Sequence, residues 1–299
     1  MKEIKVSACI ITYNQQDYIR ECLDGAINQV LDYEYEIVIG DDCSTDYTFQ
    51  ICLEYANKYP EKIKLLSRDK NLGMAKNWIS TISECNGKYI ALCEGDDYWT
   101  NNSKLQKQVD FLEKNSECSF CFHKALRVDA NNEALTKVYP ENLKKTILGV
   151  ADFFAIPTIP TASVVFRNEI KVPNLIHSHM DLPVYAALLT KGKAGFIEEQ
   201  MSFYRVHSEG ISNKYSEAWY LERRISELAI EKQYPDFSSN VKSQITKMYV
   251  NHVVVYLNKS RGKLSAEQKK KYLKSICFSR YFYGLPLKDY LTLFKTILK

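Results

Sequence analysis

Apolar and polar positions follow two alternating rhythms over residues 4–115. Ile4 to Thr12 is an apolar run with little alternation, the pattern of a strand buried on both faces. From Asp17 to Gln29 the apolar residues Tyr18, Ile19, Cys22, Leu23, Ala26 and Ile27 recur at helical spacing. Glu36–Gly40 predicts a second buried strand, Asp46–Tyr59 a helix that Pro60 stops, and Ile63–Leu66 a short strand. Met74–Glu84 predicts a helix with Gly87 in the turn after it. Tyr89–Cys93 predicts a fourth strand, and Ser103–Lys114 a helix with Ser103 at its N-cap. Strands separated by helices imply right-handed crossovers and a mostly parallel sheet covered on both faces, an α/β fold. Ligands of such sheets sit beyond the carboxyl ends of the strands. The loops of interest are therefore Thr12–Gln16, Asp41–Asp46, Arg68–Gly73 and Glu94–Asn102.

Past residue 115 the pattern mixes periods. Ser119–Val128, Ala162–Phe166 and Gly195–Glu198 predict strands, and Asp181–Thr190 a helix. From Ser216 onward the chain reads as helical, broken near Pro235, Gly262 and Gly284–Pro286. The expected organisation is one domain over 1–215, with halves at 1–115 and 116–215. A helical region follows at 216–299.

Composition narrows the class. With 299 residues, 45% of them hydrophobic and 25% charged, the chain has a sizeable core and no disorder signature. A net charge of +4 is too weak to argue for nucleic acid. Seven cations between Lys259 and Lys274, against Glu267 alone, form a solvated helix face or a contact with an anionic membrane surface. The N-terminus has no signal-peptide pattern, and no apolar run approaches bilayer-spanning length. Nine scattered cysteines fit a reducing compartment, so a cytoplasmic location is expected. Cys118 and Cys121, with His123 nearby, read as core or strand positions, since no second ligand pair follows at zinc-finger spacing.

The candidate chemistry lies on the strand-end loops. Glu94-Gly95-Asp96-Asp97 places three acids within four residues at a carboxyl end. They repel one another, and together they form a hard oxygen site suited to Mg²⁺ or Mn²⁺. Asp41-Asp42-Cys43-Ser44-Thr45-Asp46 follows the second strand. Capping the next helix explains Asp46 but neither Asp41 nor Asp42, and an acid there can accept from a ribose hydroxyl or a base N–H. Thr12-Tyr13-Asn14 occupies the same edge, with Tyr13 able to stack on a flat base.

These blocks resemble the family 2 glycosyltransferases, which have the GT-A fold. The match runs through residues 6–14 and 37–46, then Asn71-Leu72-Gly73, residues 87–91 and 94–99, in the expected order. It thins to patches between 157 and 212. The resemblance implies that Thr12, Tyr13, Asn14, Asp41 and Asp42 hold a nucleotide, usually UDP. It implies that Asp96 and Asp97 share the ribose and metal contacts. His179-Met180-Asp181-Leu182-Pro183 matches the start of the helix that carries the family's base, and only Asp181 carries over. Asp181 is equally suited to cap that helix, with Pro183 in its first turn. Tyr204–Ser212 resembles a segment that closes over the donor, with Arg205 against the diphosphate and His207 against the diphosphate or the metal.

The expected activity is an inverting, Mn²⁺- or Mg²⁺-dependent transfer of a sugar from a nucleotide donor to a glycan or lipid-linked acceptor. The expected setting is bacterial surface-polysaccharide assembly, cytoplasmic or peripheral at the inner face of the membrane. The C-terminal helices would touch membrane, pack within the chain, or form a homodimer. Competing readings are a sugar nucleotidyltransferase and a non-catalytic nucleotide- or glycan-binding protein. The first loop lacks the phosphate-binding glycines that the nucleotidyltransferase reading requires.

Overall fold

The structure is a computed structural model that describes residues 3–156, 158–169 and 181–210, together with Phe237, Ser265 and Glu267. Apart from those three residues, the expected helical region and its basic cluster lie outside the described residues, as do His179, Met180, Ile211 and Ser212.

The first half follows its periodicity closely. Strands β1 (Val6–Thr12), β2 (Tyr35–Asp41), β3 (Ile63–Leu66) and β4 (Tyr89–Glu94) pair in parallel. Between and after them come α1 (Ile19–Ile27), α2 (Thr48–Lys58), α3 (Met74–Ile82) and, past the short β5 (Tyr98–Trp99), α4 (Lys104–Lys114). Ser103 precedes α4 as expected, but its side chain makes no capping hydrogen bond. Alternate residues of β1 and β4 enter different cores. Cys9, Ile11, Ile90 and Leu92 pack with α3, while Ala8, Ile10, Ala91 and Cys93 pack with α1 and α4. Both faces are thereby buried, which is why these strands lack alternation.

The second half adds β6 (Cys118–Val128), β7 (Ala134–Tyr139), β8 (Ile147–Leu148), α5 (Val150–Phe153), β9 (Val165–Arg167), α6 (Asp181–Leu189) and β10 (Lys193–Arg205). The main strand order is β3-β2-β1-β4-β9-β6-β10-β5, with β7 beside β6 and β8 beside β10. Beyond β4 the sheet becomes mixed. Strand β10 runs parallel to β6, whereas β9, β5, β7 and β8 pair antiparallel. The single strand expected at Ala162–Phe166 is divided into a 3₁₀ turn, Thr161–Ser163, followed by β9. Helix α6 buries every residue from Leu182 to Leu189, so its apolar surface runs all round. Its acid, Asp181, stands at the first position.

Candidate active site

The first and second strand-end loops are laced together. Asn14 sits in the left-handed region (φ 52°), its N–H donating to Ser44 Oγ at 2.9 Å and its Oδ1 accepting from Thr45 N–H at 2.8 Å. The N–H of Gln16 donates to Asp46 Oδ2 at 3.1 Å, while Asp46 Oδ1 accepts from Thr48 N–H at 2.9 Å. Asp46 thus caps α2, as its position predicts. Thr12 is buried and donates from its hydroxyl to Gln15 Oε1 at 2.8 Å. Tyr13 is 45% exposed, a free aromatic surface at this edge.

Asp41 and Asp42 are both buried and both engaged by the loops around them. Asp41 accepts from Ser44 N–H (2.9 Å) and Ser44 Oγ (2.6 Å). Burial pushes its carboxyl upward, and the Ser44 bonds oppose that. Asp42 accepts from Leu72 N–H (2.7 Å) and Gly73 N–H (2.9 Å) with its two oxygens. Asn71 Nδ2 donates to the Asp42 carbonyl at 3.0 Å. The block Asn71-Leu72-Gly73 therefore clasps Asp42 and starts α3 beside it.

The acidic turn lies against the first loop. The Gly95 N–H donates to the Ile11 carbonyl at 2.9 Å, and a Cβ on Gly95 would meet Gln15 Oε1 at 2.6 Å and Thr12 Oγ1 at 2.7 Å. Only glycine permits that approach. Asp97 is buried and accepts from the Arg205 main-chain N–H at 2.8 Å. Asp96 Oδ2 lies 2.9 Å from His207 Nε2. Burial first, then the Asp96 charge, push the Glu94 carboxyl up to about 8; a bond with Thr161 opposes the rise and the Asp181 charge adds to it. Asp97 is also pushed well up, by burial and by the charges of Asp96 and Glu94. Tyr185, in α6, rises through burial and the charges of Asp181 and Glu94. The start of α6 thus faces the acidic turn.

Crowded carboxylates of this kind are what a bound cation relieves. Among the described residues no three ligating side chains are already gathered as a metal cage. Mg²⁺ and Mn²⁺ do not need one, because one or two carboxylates suffice when phosphate oxygens and water complete the shell. Asp96 Oδ2 and His207 Nε2, 2.9 Å apart, are a pair of donors to which phosphate oxygens and water could be added in this way.

Arg205 corrects an expectation. The resemblance implies a guanidinium facing the diphosphate, yet its side chain is 1% exposed and directed into the protein. Its Nε donates to the Asp96 carbonyl (2.9 Å), Nη1 to Asn132 Oδ1 (2.7 Å) and Nη2 to Glu21 Oε2 (2.5 Å). The rings of Tyr18 and Tyr98 lie 4.7 and 5.2 Å from it. With its donors directed to these partners, it acts on the site through Asp96 and Asp97. Glu21 and Asn132 escape sequence reading because each looks like an ordinary solvated residue, one on a helix and one in a hairpin. The available hint is that Glu21 stands at i, i+3 spacing from Tyr18, the N-cap residue of α1.

A sheet of this topology with an acidic turn after its fourth strand has the GT-A arrangement. The model of glycosyl transferase family 2 matches residues 7–170, and the chain belongs to that family. It is 37% identical over 208 residues to the uncharacterized protein Rv1520 of Mycobacterium tuberculosis, covering 69% of this chain and 60% of that protein. The chain thus spans about 60% of the length of this relative. It is 30% identical over 255 residues to the putative teichuronic acid biosynthesis glycosyltransferase TuaG of Bacillus subtilis, covering 81% of this chain and 96% of TuaG. The fold is shared with Staphylococcus aureus TarS 1–349 solved with UDP-GlcNAc, at TM-score 0.68 and 18% identity over 96% of this chain and 83% of that one. It is shared also with the mannosyltransferase PcManGT of Pyrobaculum calidifontis, solved with GDP-Man and Mn²⁺, at TM-score 0.58 and 15% identity over 99% and 86%.

Proposed function

We propose that the chain transfers a sugar from a UDP-linked donor to an acceptor hydroxyl, inverting the anomeric carbon. The observation that carries this is the meeting of the first strand-end loop, the acidic turn and the segment after β10: the Gly95 N–H reaches the Ile11 carbonyl, and Asp96 Oδ2 lies 2.9 Å from His207 Nε2. Tyr13 offers its exposed ring to the base. Thr12, Asn14, Asp41 and Asp42 form the wall on which uridine is read, and Asp96 accepts from the ribose or binds metal. Asp96, Asp97 and His207 would hold Mn²⁺ or Mg²⁺, which when bound supplies positive charge against the departing diphosphate.

Asp181 is the base in this reading. The acceptor oxygen bonds to the anomeric carbon as its proton passes to the Asp181 carboxylate. The bond from that carbon to the diphosphate oxygen breaks, and its electron pair leaves with UDP. Attack opposite the leaving group inverts configuration. The helix start favours the carboxylate form of Asp181, which makes it a weak base. Proton transfer therefore follows the growth of oxocarbenium character on the sugar.

The name of TuaG supports a role in bacterial surface-glycan assembly; a glycan or lipid-linked acceptor at the inner face of the membrane is part of the same proposal. No helix among the described residues is long and apolar enough to cross a membrane. The test is a transfer assay with and without Mn²⁺ on the full chain and on Asp181→Asn. The variant should lose about 10²–10⁴-fold in kcat while its UDP dissociation constant stays unchanged. Full turnover in Asp181→Asn would remove the base, and absence of any transfer or donor hydrolysis in the parent chain would leave a binding protein.

A further inference from the structure

We propose that Glu21 is a positioning residue for the acidic turn: by holding the Arg205 guanidinium, it keeps the carboxylates of Asp96 and Asp97 available to a divalent cation. The inference rests on the metal-dependent reading above. A guanidinium that is 1% exposed must be paired with a carboxylate or polarised oxygens, because an unpaired buried charge is very costly. Two parts of the structure hold this residue. One is Glu21, on α1, at 2.5 Å. The other is the acidic turn, whose Asp96 carbonyl already accepts from Arg205 Nε and whose Asp97 carboxylate already accepts from Arg205 N–H.

The surrounding structure favours Glu21. Asn132, in the left-handed region (φ 67°) of the β6–β7 hairpin, donates from Nδ2 to Glu21 Oε1 at 2.6 Å and accepts from Arg205 Nη1 at 2.7 Å. Both oxygens of Glu21 are therefore aligned by the same cluster. The rings of Tyr18 and Tyr98 lie 4.7 and 5.2 Å from the guanidinium. Helix α1 reaches this position because Gly25 lets its backbone touch β5; a Cβ there would lie 2.6 Å from the Trp99 carbonyl. Without the Glu21 charge, the guanidinium loses its ion-pair partner and re-orients, and the Asp96 carbonyl and Asp97 carboxylate that Arg205 holds shift with it. The carboxylates of the turn then no longer stand where a cation would take them.

Glu21→Gln keeps size and hydrogen-bonding reach while removing the charge. The measurement is the Mn²⁺ dissociation constant of the full chain at saturating UDP, followed by the electron paramagnetic resonance signal of free Mn²⁺, alongside the melting temperature. Partners behind a metal site are generally worth about 10–100-fold in affinity. Glu21→Gln should bind Mn²⁺ at least about tenfold more weakly while remaining folded, with Glu21→Asp intermediate. Should Glu21→Gln fail to accumulate, Glu21→Asp carries the test with the same direction. Unchanged Mn²⁺ affinity with only a lowered melting temperature would mean that Glu21 is structural, overturning the inference and leaving the functional reading intact. No Mn²⁺ uptake by the parent chain with UDP would remove both.

Discussion

The ammonium of Lys104 is wholly buried, 4.0 Å from the centre of the Trp99 ring and without a hydrogen-bond acceptor. Attraction to the ring offsets part of the desolvation but not all of it. Burial accordingly pulls the lysine down to about 7. Below that value the ammonium is charged in both folded and unfolded chains, and the fold carries the full cost of burying it. Between about pH 7 and the ordinary lysine value near 10.4 the unfolded chain holds the extra proton, so this residue's contribution to stability rises with pH. Lys104→Met should therefore stabilise the protein by a few kcal/mol at or below neutrality, and the gain should shrink toward pH 10. Urea unfolding of both proteins across that range checks the sign, and a gain that grows with pH contradicts it. In sequence this lysine looks like any cation at a helix start; its burial under Trp99 is decided by how α4 meets β5.

Among the elements, β10 departs most from its pattern. A strand of four residues is expected at Gly195–Glu198, and thirteen are found. Glu198, Glu199 and Gln200 interrupt the apolar run because β8 pairs with residues 194–195 and β5 with 202–203, leaving the stretch between them at a sheet edge. Its register on β6 shifts in the same stretch. The junction of β2 and α3 was more legible, since the acids and Asn71-Leu72-Gly73 stand out in sequence. What could not be read was that one answers the other through the Asp42 carboxylate. Asp42→Ala would leave the N–H groups of Leu72 and Gly73 without their charged acceptor, at a cost of about 2–3 kcal/mol. Chemical denaturation should register that loss, and UDP titration should show weaker binding because the second loop loses its support. Parent-like stability would mean that water replaces the carboxylate at no cost.

At the scale of the molecule, the proposed site is assembled from β1, β2 and β4 in one half and from α6 and β10 in the other. A ligand that bridges these elements binds only the folded chain, so it must raise the melting temperature by mass action. A UDP-sugar at about 100 times its dissociation constant contributes about 2.7 kcal/mol. The shift should require Mn²⁺ or Mg²⁺ and vanish with EDTA. A shift of equal size with EDTA present would count against the metal, and none with any nucleotide sugar would count against the donor site.

Sequence by itself determined the alternation of strands and helices through β4 and α4, and the edge at which their loops collect. It also determined the residue types placed there. Those properties are local, because a strand or helix writes its own period into the chain and a carboxyl end follows from the order of elements. Tertiary structure alone decided which polar groups are held by the protein and which remain for a ligand. Glu21 and Arg205 lie 184 positions apart, and Asp42 meets the backbone of Leu72 thirty residues away. A hydrogen bond is selected by distance and direction in space, and no periodicity along the chain encodes either.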